Sequence, residues 1–93
     1  RVYRFANALW TQIGDDIDGE ANDWSGHSVS LNSDGTRVAI GSPWSSTRTT
    51  EAGKVRVYQN KNDSWIQIGN SIDGNINDNL GFSVSLSADG LIV

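Results

Sequence analysis

The sequence predicts an all-β fold made of β-propeller blades, each of four antiparallel strands. Three observations carry that prediction. Residues 1–38 align without a gap with residues 56–93 at an offset of 55 (56 − 1), and 21 of those 38 pairs are identical. A period near fifty residues marks a propeller, a solenoid or another modular array. Helical periodicity is absent, and short runs rich in β-branched and aromatic residues alternate with clusters of Gly, Asn, Asp and Ser. Four such runs fall in each period, joined by hairpins and one longer link, which is the organisation of a blade. The chain holds about 1.7 periods of 55 residues, the expectation for a fragment of a larger propeller.

Strands are expected at 2–5, 10–13, 27–32, 37–41, 54–59, 65–68, 82–87 and 91–93. Ser33-Asp34-Gly35 and its copy Ala88-Asp89-Gly90 read as short hairpin turns, since Asp-Gly tolerates positive φ. A second hairpin is expected over 60–64, between Tyr58 and Trp65. Residues 45–53 form a polar loop, and 15–26 is the longest connection, recurring as 70–81. In 27–32, Val29 and Leu31 share one face and Ser28 and Ser30 the other; Val84, Leu86, Ser83 and Ser85 repeat the pattern. A solvent-facing strand would carry Lys, Glu or Thr there. Repeated small Ser predicts a second layer packed closely on that face.

The recurrent long link is the crossover between blades. Residues 1–14 are then the outer two strands of a preceding blade, 15–26 a crossover, and 27–69 one complete blade. A second crossover at 70–81 leads to the inner two strands of a following blade, 82–93. A lone blade leaves both sheet faces wet and is not stable by itself.

Composition narrows the partners. Hydrophobic residues make up 37% of the 93, thin for a self-sufficient core, and no cysteine is present to compensate. Net charge is −4 with only seven basic residues, scattered, which argues against nucleic acid. No run of about 18 apolar residues exists to span a membrane as a helix. The first residue is Arg, not a natural start, so the true N-terminus is expected to be missing or processed away.

Gly26-His27-Ser28-Val29 and Gly81-Phe82-Ser83-Val84, followed by Gly41-Ser42-Pro43 and by Gly53-Lys54-Val55-Arg56-Val57-Tyr58, resemble the FG-GAP repeat of integrin-α-type β-propellers. Trp65-Ile66-Gln67-Ile68-Gly69 and Ile72-Asp73-Gly74 resemble its bacterial and algal style. The opening Phe of that repeat is replaced by Ser25 and Leu80. The resemblance implies a non-enzymatic binding or scaffold module, extracellular or at the cell surface, making protein–protein or adhesive contacts through loops on one rim. Family members often hold calcium in an Asp-rich loop between the first two strands. Here that link is a short turn with one carboxylate, too poor for an ion that wants six to eight oxygens. Alternatives are a non-catalytic slice of a propeller-containing hydrolase, or short chains that assemble into a ring.

The crossovers are the better calcium candidates. Asp18, Asn22 and Asp23 recur as Asp73, Asn77 and Asp78. Their oxygens could gather around calcium, or they could simply cap backbone amides of the loop. His27 is the single histidine and its copy is Phe82, so the slot asks for a flat ring rather than a base. Trp10 and Trp65 recur and read as structural. Trp24 does not recur, and Trp44 lies where the second copy would continue past residue 93. With Arg48 and Glu51, they are the candidate contacts for a protein or glycan ligand. Asn62-Asp63-Ser64 is a glycosylation sequon at a hairpin tip.

Overall fold

The computed structural model describes residues 1–45 and 52–93. Arg48 and Glu51 lie outside the described residues. Seven strands form: β1 (Tyr3–Ala6), β2 (Leu9–Gln12), β3 (Ser28–Leu31), β4 (Arg37–Ser42), β5 (Lys54–Lys61), β6 (Ser64–Gln67) and β7 (Ile72–Asp73). The fold is all-β and antiparallel, with no helix among the described residues. β1 and β2 make a two-stranded ribbon; β3-β4-β5-β6 form one sheet. β7 pairs with the first residues of β5 on the edge that β6 occupies further along.

The sequence repeat is also a backbone repeat. Tyr3 pairs with Gln12 in the ribbon as Tyr58 pairs with Gln67 in the sheet. Both hairpins turn through two left-handed residues, Asn7 and Ala8 in one and Asn62 and Asp63 in the other. That geometry matches the right-handed twist of the flanking strands. The amide of Ile13 bonds Val2 O at 2.8 Å, and that of Ile68 bonds Val57 O at 2.7 Å. Gln12 and Gln67 each reach forward to the carbonyl of Gly14 or Gly69, both at 3.3 Å.

Directly opposed residues share a face of a sheet, so the register defines two faces. Val29, Leu31, Val38 and Ile40 lie on one, continuing into Lys54 and Arg56. Ser28, Ser30, Ala39 and Gly41 lie on the other, continuing into Val55 and Val57. The buried core is on the two central strands, at Val38, Ala39, Ile40 and Val55. These strands have neighbours on both edges, so burial concentrates there.

The second face carries the next repeat, as the serine pattern predicts. Ser28 Oγ donates to Gly81 O at 2.8 Å, and Ser30 Oγ accepts the Leu86 amide at 3.0 Å. Ser33 donates its amide and its hydroxyl to Ala88 O, at 3.1 and 2.9 Å. Val84 lines a cleft with Val55 and Ile72, and Leu86 a second with Val57 and Ile68. At the end of this seam two backbones meet. A side chain on Gly41 would strike Gly81 O, and one on Gly81 would lie 2.9 Å from Gly41 Cα and 2.6 Å from Lys54 O.

The same docking explains the first face. Leu86 is 9% exposed, while its equivalent Leu31 is 47% exposed. A cleft of about 270 Å³ between Val2, Ile17, Val29, Leu31, Val38 and Ile40 is the matching seam with the preceding repeat.

Three expectations need correction. Residues 82–87 and 91–93 do not form strands. Their turn closes normally, with the Ser87 amide 2.8 Å from Ile92 O as the Asn32 amide is 3.1 Å from Arg37 O. The ladder that should follow has few partners. Ser28 pairs with Gly41, so Ser83 (28 + 55) would need position 96 (41 + 55), and within the sequence only Leu86 and Val93 can oppose each other. β7 is the second correction. Its copy Ile17-Asp18 is not a strand, because the partners equivalent to Lys54 and Val55 would precede residue 1. Third, the Asp-Gly turns have only their glycines in the left-handed region, Gly35 and Gly90 at φ 74° each. Asp34 instead accepts the hydroxyl and the amide of Thr36, at 2.6 and 3.0 Å. Asp89 accepts the Leu91 amide and the Ser87 hydroxyl, at 3.0 and 2.7 Å.

These bonds hold both carboxyls below their ordinary range, Asp34 chiefly through the Thr36 hydroxyl and Asp89 chiefly through the Leu91 amide. A depressed folded pKa stabilises above the unfolded value of about 4 and is lost as pH falls through the folded one. Carboxyl titration by NMR should therefore place both below about 4, and Thr36→Ala should move Asp34 upward. Gly41→Ala should cost about 2 kcal/mol or more, because backbone lies where the methyl must go. An unchanged denaturation midpoint would contradict the seam.

Candidate ligand-binding rim

Register sorts the connections to two ends of the sheet. Ser28 opposes Gly41, and Gly41 opposes Val55, so the entry to β3, the exit of β4 and the entry to β5 share one end. The chain leaving β4, the chain entering β5 and both crossovers therefore share one rim. The opposite rim holds the turns at Gly35, at Asn62 and at Gly90.

On the crossover rim, three separate connections contribute to one aromatic cluster. Trp24 stacks on Trp44 with centroids 4.9 Å apart and planes 20° from parallel. His27 is tilted against both, at 6.1 and 5.9 Å, and contacts Phe82 at 4.7 Å. Thus His27 touches the residue that occupies its own position in the next repeat. Trp24 is 59% exposed and Phe82 58%.

Trp24 is out of place by local rules. Its φ is 58°, a left-handed conformation that is an outlier for a bulky side chain. The copy has Asn79 at φ 52°, an amide suited to that region. Asn79 also ties the crossover to the preceding link, donating from Nδ2 to Pro43 O at 3.1 Å. At position 24 stands an indole stacked on Trp44. Backbone strain of this kind persists where the surroundings enforce it, and it collects at ligand sites.

The crossover acids are placed differently from a metal site. Asp23 is buried, with its Oδ2 3.7 Å from Lys54 Nζ, and the two side chains are 8% and 3% exposed. Glu20 lies 3.7 Å from Arg56, so two acids of the first crossover meet two bases of β5. In the second crossover, Asp78 Oδ2 accepts the Asn75 amide at 2.8 Å. Asn22 and Asn77 serve as left-handed turn residues at φ 66° and 62°. Asp73 sits in β7 opposite Lys54, and Asp18 is exposed on the loop. Among the described residues no three His, Asp or Glu side chains gather as a metal set. Of the calcium candidates, Asp23 is paired with Lys54 and Asp78 fastens its own loop.

Trp65 takes the structural part that its recurrence suggests. Its indole donates to Ile13 O at 2.9 Å, and a side chain on Gly14 would lie 2.6 Å from that nitrogen. It clamps the outer hairpins of successive repeats, with Asp63 Oδ1 accepting the Gly14 amide at 2.9 Å. Trp10 tilts against Phe5, at 5.1 Å, and is mostly exposed.

Residues 16–58 match the family model of the FG-GAP repeat, from the first crossover through β3 and β4 to Tyr58 in β5. That segment is an FG-GAP repeat, and the sheet it builds is a propeller blade. No curated protein and no solved structure matches the chain.

Lys54→Met alone should destabilise by about 3 kcal/mol, since it strands Asp23 in a buried site without its counter-ion. Asp23→Asn combined with Lys54→Met should recover most of that loss in chemical denaturation.

Proposed function

We propose that this chain is a non-enzymatic binding module of an extracellular or cell-surface FG-GAP-type propeller, with 27–69 as one complete blade. Its crossover rim makes the adhesive or protein contacts, and the opposite rim is structural. The FG-GAP match supports a propeller-type interaction module. The single observation that carries the rim assignment is Trp24. A large indole occupies a left-handed position where the second copy has an asparagine, and it stacks on Trp44 from the neighbouring link. Buried, rigid aromatic anchors dominate binding energetics at interfaces. A packing role for the single histidine is supported by its ring contacts with Trp24, Trp44 and Phe82. No helix of the described residues is long and apolar enough to cross a membrane.

The protein immobilised on a surface should be screened against arrays of extracellular proteins and of glycans. A Trp24→Ala, Trp44→Ala double variant should bind the retained ligands at least tenfold more weakly. Lys61→Ala, on the opposite rim, should bind them as the native chain does. Ligands bound equally well by the double variant would refute the rim assignment.

A further inference from the structure

We infer that Asn62 accepts an N-linked glycan on the rim opposite the crossovers. This rests on the extracellular part of the reading above, since the transfer needs a secretory route, and it uses none of the binding rim. Nine asparagines are present, and Asn62-Asp63-Ser64 is the single place where one precedes a Ser or Thr by two residues. Transfer joins Asn62 Nδ2 to the anomeric carbon of an oligosaccharide carried on a polyprenyl diphosphate. The bond from that carbon to the diphosphate oxygen breaks, and the diphosphate leaves with the electron pair. The amide nitrogen gives up one proton to a base. The acceptor needs a hydroxyl two residues on, and Ser64 supplies it.

An acceptor must also stand clear of protein, and the repeat shows this from both sides. Asn62 and Asp63 are the two turn residues between β5 and β6, at φ 53° and 64°, with Lys61 opposite Ser64. All four residues are exposed. The hairpin of the preceding repeat is in place beside this turn. Asp63 makes the contact to it, accepting the Gly14 amide at 2.9 Å. Asn62 is left without a hydrogen-bond partner among the described residues. Asn7 is the equivalent residue with the following repeat in place beside it, and it too is exposed, at φ 52°. Neither neighbour in the array therefore covers this position. Turn chemistry alone explains an asparagine at both tips. It does not ask for a hydroxyl after the turn, and residue 9 is Leu, 68% exposed, where residue 64 is Ser. Asn7 is thus a built-in control, alike in backbone and exposure but lacking the hydroxyl. A glycan is bulky and hydrated. At Asn62 it shields the turn rim from other macromolecules and leaves the crossover rim open.

The test is expression of the chain in cultured eukaryotic cells behind a cleavable signal peptide, which supplies the secretory route whatever the native location. The chain recovered from cells and medium should carry one glycan by intact mass. An amidase specific for N-glycans should remove it, and peptide mapping should place it at residue 62. Asn62→Asp, which suits the same left-handed conformation, and Ser64→Ala should each carry none, while Ser64→Thr should keep it. Leu9→Ser should add a second glycan, at Asn7. An unmodified Asn62, or a glycan that survives Ser64→Ala, would overturn the assignment. A Leu9→Ser chain that stays unmodified at Asn7 would contradict the access shown by the repeat. None of these results touches the binding rim, which stands or falls on the Trp24 and Trp44 variant.

Discussion

The contact between the backbones of successive repeats at Gly41 and Gly81 sets the geometry of the whole chain. No side chain fits between them, since one on Gly41 would strike Gly81 O. With that spacing fixed, Ser28 and Ser30 lie within hydrogen-bond reach of the next repeat's backbone. Small residues on that face are therefore a packing requirement. They also explain how a chain with 37% hydrophobic residues forms a layered fold. Much of the inter-repeat contact is backbone against backbone, satisfied by hydroxyls, with Val55 and Val57 supplying the apolar part towards β5. Buried polar groups cost little once they are paired in this way.

Fixing the seam also fixes the rim. Each repeat docks in the same orientation, so His27 of one meets Phe82 of the next, and Asn79 reaches back to Pro43. The crossovers are pinned from below by Asp23 on Lys54 and Glu20 on Arg56. What remains free to vary is the outward residue at the left-handed position of each crossover. In one repeat it is Asn79, which ties the loop down. In the other it is Trp24, which faces solvent.

Much of this was legible in the sequence, for physical reasons. The offset of 55 translated into identical hairpin registers, and the Ser-Val-Ser-Leu alternation foretold a layer against the serine face. Trp24 stood out because its copy is Asn79, and the structure stacks it on Trp44. What could not be read is equally specific. The pairing of β7 with β5 depends on a two-residue match with no pattern of its own. The partnership of Asp23 with Lys54 joins residues 31 apart (54 − 23) that have no shared motif. The recurrence of Asp and Asn in the crossovers looked alike for metal binding and for loop fastening, since both use the same oxygens. Strands 82–87 and 91–93 were predicted from local propensity, but a ladder needs partners, and the register leaves one pair.

The most direct test of this account is a nuclear Overhauser measurement between the α-protons of Gly41 and Gly81 in the folded protein. Backbone contact across the seam predicts a strong cross-peak between these two glycines, 40 residues apart (81 − 41). Its absence, with both resonances assigned, would mean that the repeats do not dock through this face, and the rim built upon that docking would fall with it.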